Sequence, residues 1–245
     1  MVGFAGSGRR EAAIVAVAAA ACLLPSLAMA DPALDQQLCA ASQSGASADI
    51  RRLLQQGADP NATCANKAGD DHFGPLYLAV GIDAADGVGA LLDAGARVAT
   101  PETKYGLSAV FKIRSQAVGE LLFSHGADVN ARNARGETPI QYLSPRIGGT
   151  FTEDTAAAVG AVLLAHGANV NDTFNDSTPL MQAVTFEETT LVAFLLDHKA
   201  DPNWRDKNGE TALGLAIRLE GELKPEFAEG YRATQALLRA HGAVQ

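Results

Sequence analysis

One phrase recurs six times along this chain: an apolar pair, two or three residues, then a glycine and an alanine, followed in the fullest copies by Asp-x-Asn. It reads LLQQGADPN at 53–61, LLDAGARV at 91–98 and LLFSHGADVN at 121–130. It returns as LLAHGANVN at 163–171, LLDHKADPN at 195–203 and LLRAHGAV at 237–244. The glycine position falls at Gly57, Gly95, Gly126, Gly167, Lys199 and Gly242, with spacings of 38, 31, 41, 32 and 43 residues. A recurrence near a fixed period, with insertions, marks a stacked repeat architecture. Each Leu pair predicts the buried stripe of a helix, ended by a glycine in the left-handed conformation. The Asp/Asn-rich stretch predicts a turn into the next unit. Such a unit cannot bury its apolar face alone, so stacking has to build the core. The composition agrees. Apolar residues make up 47% and aromatics only 6%, which favours short Ala- and Leu-rich helices over an aromatic β-core.

A second phrase precedes the first within each unit. It reads GPLYLA at 74–79, GETPIQYL at 136–143, STPLMQA at 177–183 and NGETALGLA at 208–216. Thr138 and Thr178 are expected to cap a first helix, with Pro139 and Pro179 at its first position. Ala40, Ala79, Ala183 and Ala216 are expected to let that helix approach its neighbour closely. The two phrases in this order resemble the ankyrin repeat, a unit of about 33 residues with T-P-L-H-x-A and LL-x-x-G-A-D-x-N motifs. The His of T-P-L-H is absent from every copy, and the first and third units have degenerate starts.

The resemblance implies an all-α ankyrin-repeat solenoid of about six helix-turn-helix units with short β-turn fingers. The units fall at about 32–64, 65–101, 102–133, 134–174, 175–206 and 207–245. Gln36, Gln37, Gln43 and Arg51 at one end, and Arg232, Gln235 and Arg239 at the other, read as polar outer faces of caps. The implied function is non-catalytic protein–protein binding, as an adaptor or scaffold, through the concave face of fingers and first helices.

Residues 1–30 read as a signal peptide. Arg9 and Arg10 form a positive start, Ala12–Leu24 an uncharged stretch of 13 residues, and Ala28-Met29-Ala30 a small-residue cleavage site. The mature chain is expected to begin at Asp31, in the periplasm or secreted. An uncleaved anchor is the alternative, because the 19 uncharged residues Ala12–Ala30 just reach across a bilayer. With 19 Lys+Arg against 28 Asp+Glu the formal net charge is −9, and no basic run is present. That argues against nucleic acid and anionic membrane surfaces as partners. A monomer that binds a protein is expected, with no cofactor and no metal.

Cys39 and Cys64 are the cysteines left after cleavage. A pair in an exported chain suggests a disulfide, with free thiols or a redox pair as alternatives. Closing that loop would contribute roughly 3 kcal/mol in the chain-entropy model. His125, His166, His198 and His241 each precede the glycine position. Equivalent residues on packed helices lie about 8–10 Å apart, too far for one zinc. They are expected to meet the last carbonyls and the dipole of their helices. No H-E-x-x-H, P-loop or G-x-S-x-G motif is present, and no catalytic residue is assigned.

Surface recognition remains. The candidate binding residues lie on the fingers: Phe73, Tyr105, Arg132, Arg135, Phe174, Trp204, Arg205 and Lys207. An exposed aromatic beside Arg is typical of interface anchors; packing against the next finger is the alternative for each ring. Two insertions, 144–155 and 220–232, fall between paired helices. The competing functions are a secreted effector that binds a host protein, a small-ligand binder or enzyme using those two loops, and a self-assembling array. Lys199 breaks the glycine pattern, and its replacement by Gly is expected to stabilise the fold.

Overall fold

The computed structural model describes residues 31–65, 72–99, 106–144, 153–222 and 228–245. The expected leader, Tyr105 and the central parts of both inserted loops lie outside the described residues. Helix α1 (Pro32–Ser44) opens on Asp31, whose carboxylate accepts from the N–H of Ala33 at 2.9 Å, with Pro32 at the first position. It packs against α2 (Ser47–Gln55). A two-residue antiparallel pair follows, β1 (Cys64–Ala65) with β2 (His72–Phe73). Then come α3 (Pro75–Gly81) and α4 (Ala85–Asp93), a 3-10 helix (Ala109–Lys112) and α5 (Gln116–Ser124). The later helices are α6 (Glu153–Ala165), α7 (Pro179–Thr185), α8 (Thr189–Asp197), α9 (Ala212–Glu222) and α10 (Glu229–Ala240).

The helices form two layers. In the outer layer α2, α4, α5, α6, α8 and α10 each pack on the next. In the inner layer α1 packs on α3, α3 on the 3-10 helix, and α7 on α9. One apolar core runs between the layers from Leu38 to Leu238 and takes in a leucine from every Leu pair. Small residues set the spacing. A Cβ on Gly160 in α6 would stand 2.6 Å from the ring of Phe194 in α8. In α1 it is Ala41 that is buried, whereas Ala40 is exposed, one residue off the expected close approach.

The recurring phrase has a physical account at each letter. The glycine carries φ of 97° at Gly57, 89° at Gly95, 82° at Gly126, 92° at Gly167 and 80° at Gly242. The alanine after it donates its N–H to the first leucine-stripe carbonyl, as Ala58 does to Leu53 at 3.1 Å and Ala96 to Leu91 at 2.9 Å. That is the Schellman closure of a helix. Lys199 holds the same place with φ 68°, and Ala200 closes on Leu195 at 2.9 Å. The aspartate then folds the turn locally: Asp59 accepts from the N–H of Asn61 at 2.9 Å, and Asp201 from that of Asn203 at 2.8 Å.

The asparagine reaches the next unit. Asn61 donates to the carbonyl of Gly95 at 3.1 Å and accepts from the N–H of Arg97 at 2.8 Å. Asn203 repeats this on Gly242 at 3.1 Å and Val244 at 2.7 Å. Asn130 donates to Gly167 at 3.4 Å, and Asn171 accepts from Asp201 at 2.8 Å. Ala99 stands at this position after the second helix pair. Among the described residues, no clamp of this kind joins that pair to the third.

Two inner elements depart from expectation. Thr178 caps α7 as read, accepting from the N–H of Met181 at 3.3 Å, with Pro179 first in the helix. Thr138 does not open a comparable helix; residues 139–142 form turns. Its hydroxyl is drawn away by Asp172 of the next finger at 2.9 Å, and its N–H is met by Gln141 Oε1 at 3.0 Å. In the third unit Ser108 precedes the 3-10 helix without capping it. At the C-terminal end Arg232 and Arg239 are exposed, but Gln235 is buried and donates to Glu220 at 2.6 Å.

Candidate functional site

The finger 62–75 is tied to the inner layer at both ends of its hairpin. Cys64 on β1 is bonded to Cys39 on α1, with Cα atoms 5.5 Å apart. Cys64 pairs in register with Phe73 on β2. Phe73 in turn lies on the ring of Tyr77 in α3, with centroids 5.2 Å apart and planes 8° from parallel. The disulfide, the strand pair and the stacked rings thus place Phe73, partly buried, beside α3.

A second apolar cluster grows from this point, separate from the core. Tyr77, Leu107 and Phe111 are buried in it, and Phe73, Ala131 and Tyr142 pack against it. Phe111 meets Tyr142 edge to face at 5.5 Å and 87°. Three consecutive units therefore contribute a ring to one patch where fingers and inner elements meet. Lys112, the residue after Phe111, carries its ammonium 5.7 Å from the centroid of Tyr77. Partial burial, and then the nearby Arg114 guanidinium, push the Lys112 ammonium below the usual lysine range. Arg114 itself donates to the carbonyl of Gly81 at 3.1 Å. Among the described residues no ion pair engages Lys112 or Arg114.

Of the described finger residues expected to bind, Phe73 belongs to this patch, and Arg132, Arg135, Phe174, Trp204, Arg205 and Lys207 lie elsewhere. Arg132 donates to the Gly136 carbonyl at 2.6 Å and to Asp172 at 3.0 Å. Arg205 does the same to the Gly209 carbonyl at 2.7 Å and the Gln245 carbonyl at 3.4 Å. Both guanidinium groups fasten their own turn to the next unit while staying exposed. Arg135 and Lys207 are exposed at the tips of these turns. Asn133 and Asp206 build those tips, Asp206 accepting from the N–H groups of Asn208 and Glu210 at 2.8 Å each. Desolvation of Asp206 is outweighed by the combined donors of Glu210 and Asn208, which hold its carboxyl below the usual range.

Phe174 is partly buried, pairs its backbone with Ser177, and lies within 3.7 Å of where a Cβ on Gly136 would stand. Trp204 is partly buried and packs against the core near the C-terminal end, far along the stack from Phe73. The sequence reading missed Tyr77, Phe111, Lys112 and Tyr142. The available signal was an aromatic, Tyr77 or Phe111, at the His place of T-P-L-H-x-A, followed in the third unit by a lysine.

The histidines act at helix ends. His125, His198 and His241 each donate Nδ1–H to the carbonyl four residues back, at 2.8, 2.8 and 3.0 Å. Nε2 of His166 lies 2.9 Å from Glu120, that of His241 3.3 Å from Asp197 and that of His125 3.7 Å from Asp93, each carboxylate on the preceding outer helix. Among the described residues no group of three His, Cys, Asp or Glu side chains is placed to hold a metal ion. No described helix is long and apolar enough to cross a membrane. Shallow grooves of about 300 and 460 Å³ lie away from the aromatic patch, between α2 and α4 and between α1 and α2.

Comparison with known proteins agrees with this geometry. Residues 154–227 match the family model for ankyrin repeats, described as three copies. The chain is similar to the ankyrin repeat domain of Bcl-3, a member of the IkappaB protein family, at 24% identity. That match has a TM-score of 0.66 and covers 86% of this chain and 87% of that one. It is also similar to an ankyrin repeat domain from Acinetobacter baumannii AYE, at 24% identity and a TM-score of 0.62, over 84% of this chain and 98% of that one. No curated protein matches the chain.

Proposed function

We propose that this ankyrin-repeat solenoid is a non-catalytic protein-binding module, an adaptor or scaffold that works outside the cytoplasm through its fingers and inner layer. The observation that carries the reading is the patch of Phe73, Tyr77 and Tyr142 with Lys112 at its edge. Aromatic side chains, tyrosine among them, are enriched at protein interfaces and among their hot spots. Ankyrin repeats generally serve protein–protein interaction, which supports the class of function by analogy of fold. The export reading rests on residues 1–30, cleaved after Ala30, and on the disulfide, which persists in oxidising compartments.

The test is affinity capture from a periplasmic extract of the source organism with residues 31–245 as bait. Parallel baits carry Phe73→Ala, or Trp204→Ala with Arg205→Ala. One protein held by the parent bait and lost from a variant supports the module and assigns its face. A partner retained by both variants moves the site away from the fingers. Absence of any enriched protein, in the medium as well as the periplasm, would sink the adaptor reading. Cell fractionation with N-terminal sequencing of the mature protein checks export, and a cytoplasmic chain beginning at Met1 would refute it.

A further inference from the structure

Among the described residues, no carboxylate pairs with Lys112. The chain carries 28 carboxylates against 19 basic side chains, so acids are in surplus. Five described arginines find them: Arg51 pairs with Asp86, Arg52 with Asp49, Arg132 with Asp172, Arg218 with Glu210 and Glu222, and Arg232 with Glu220. Lys112 instead sits partly buried over the face of Tyr77, and its neighbouring cation is Arg114. Partial desolvation beside a like charge costs free energy, and the ring face offsets only part of it. An incoming carboxylate meets a cation whose water has already been partly removed, which strengthens the pair relative to one in bulk solvent. Beside that cation, Phe73 and Tyr142 are partly buried, so each keeps ring surface open to solvent.

We propose that Lys112 and the rings of Phe73, Tyr77 and Tyr142 form a docking site for an acidic segment of a partner protein. A partner carboxylate pairs with the Lys112 ammonium, and an adjacent apolar side chain lies against the partly exposed Phe73 and Tyr142, with buried Tyr77 as the floor beneath them. This rests on the protein-binding reading above and specifies its chemistry. Arg114 adds a second positive charge, which favours a segment with more than one acid. An acidic occupant is complementary to the two cations of this patch in a chain whose formal net charge is −9.

The experiment uses a phage-displayed library of random dodecapeptides, selected on disulfide-intact residues 31–245. Selected peptides are resynthesised and titrated against the parent, Lys112→Gln, Lys112→Arg and Trp204→Ala proteins, each checked for unchanged circular dichroism and melting. The expected result is a set of peptides with an acid next to an aromatic or aliphatic residue. They should lose about tenfold in affinity on Lys112→Gln, the scale of one charged hydrogen bond. Lys112→Arg should restore most of the binding, and Trp204→Ala should leave it unchanged. Peptides without acids, or acidic ones bound equally by Lys112→Gln, would overturn the acidic site. If those peptides are lost on Trp204→Ala, the protein-binding reading stands while this inference falls. No enrichment over an unfolded, reduced control counts against both.

Discussion

Lys199 shows how one residue can oppose the unit that contains it. Its φ of 68° is the backbone that glycine supplies in the other five copies. A side chain with a Cβ pays roughly 1 kcal/mol there relative to glycine. Lys199→Gly should therefore raise stability by about 1 kcal/mol, less the flexibility added to the unfolded chain. Urea denaturation checks it, and a lowered midpoint would contradict the helix-end role. His241 offers a second residue-scale test. The Leu237 carbonyl, and then the Asp197 carboxylate, hold its imidazole above the ordinary value of 6.5. Because the folded form binds the proton more tightly, the stabilisation is full below pH 6.5 and is lost as pH rises through the raised value. Proton NMR of the ring should find it titrating above its Asp197→Asn counterpart. Coincident curves would remove Asp197 from the account.

At the scale of elements, the asparagine clamp and the disulfide hold units together by different means. Asn61→Ala removes a donor to Gly95 and an acceptor for Arg97, and should cost about 1–3 kcal/mol. Asn61→Asp keeps the acceptor alone and should fall between the two in a denaturation series. Reducing the Cys39–Cys64 bond should cost roughly 3 kcal/mol. The loss should appear as faster amide exchange in α1, the strand pair and α3, with α8 to α10 unchanged. Uniform acceleration would mean that the bond supports the whole stack rather than its first finger. These elements were unequally legible in the sequence. Leu pairs, glycines and Asp-x-Asn turns act within a few residues, so their pattern carries its own meaning. Thr138 was misread because Asp172, 34 residues further along the chain, claims its hydroxyl. Arg132 and Arg205 looked like free finger side chains, yet a local glycine carbonyl and the following unit engage each of them. Lys112 and Tyr77 lie in different units, and although Tyr77 takes the His place of the motif, nothing in that place says which residue of the next unit it meets. The aromatics at that place were legible, but the patch they form emerges only when the units are stacked.

For the whole molecule, stability is close to a sum over units and the contacts between neighbours. The disulfide reinforces the first unit, and Glu220, Arg232, Gln235 and Arg239 knit the last inner and outer helices together. The ends are thus guarded, and the middle differs from both. Ala99 replaces the asparagine that fastens other junctions, and a 3-10 turn stands where the first, second, fifth and sixth units begin with a full helix. The rings of Tyr77, Phe111 and Tyr142 bridge this region instead. Under tension applied at the two termini, such a chain of links yields at its weakest coupling. The rod should part between the second and third pairs, and a ligand resting across Tyr77 and Lys112 would act there as a splint.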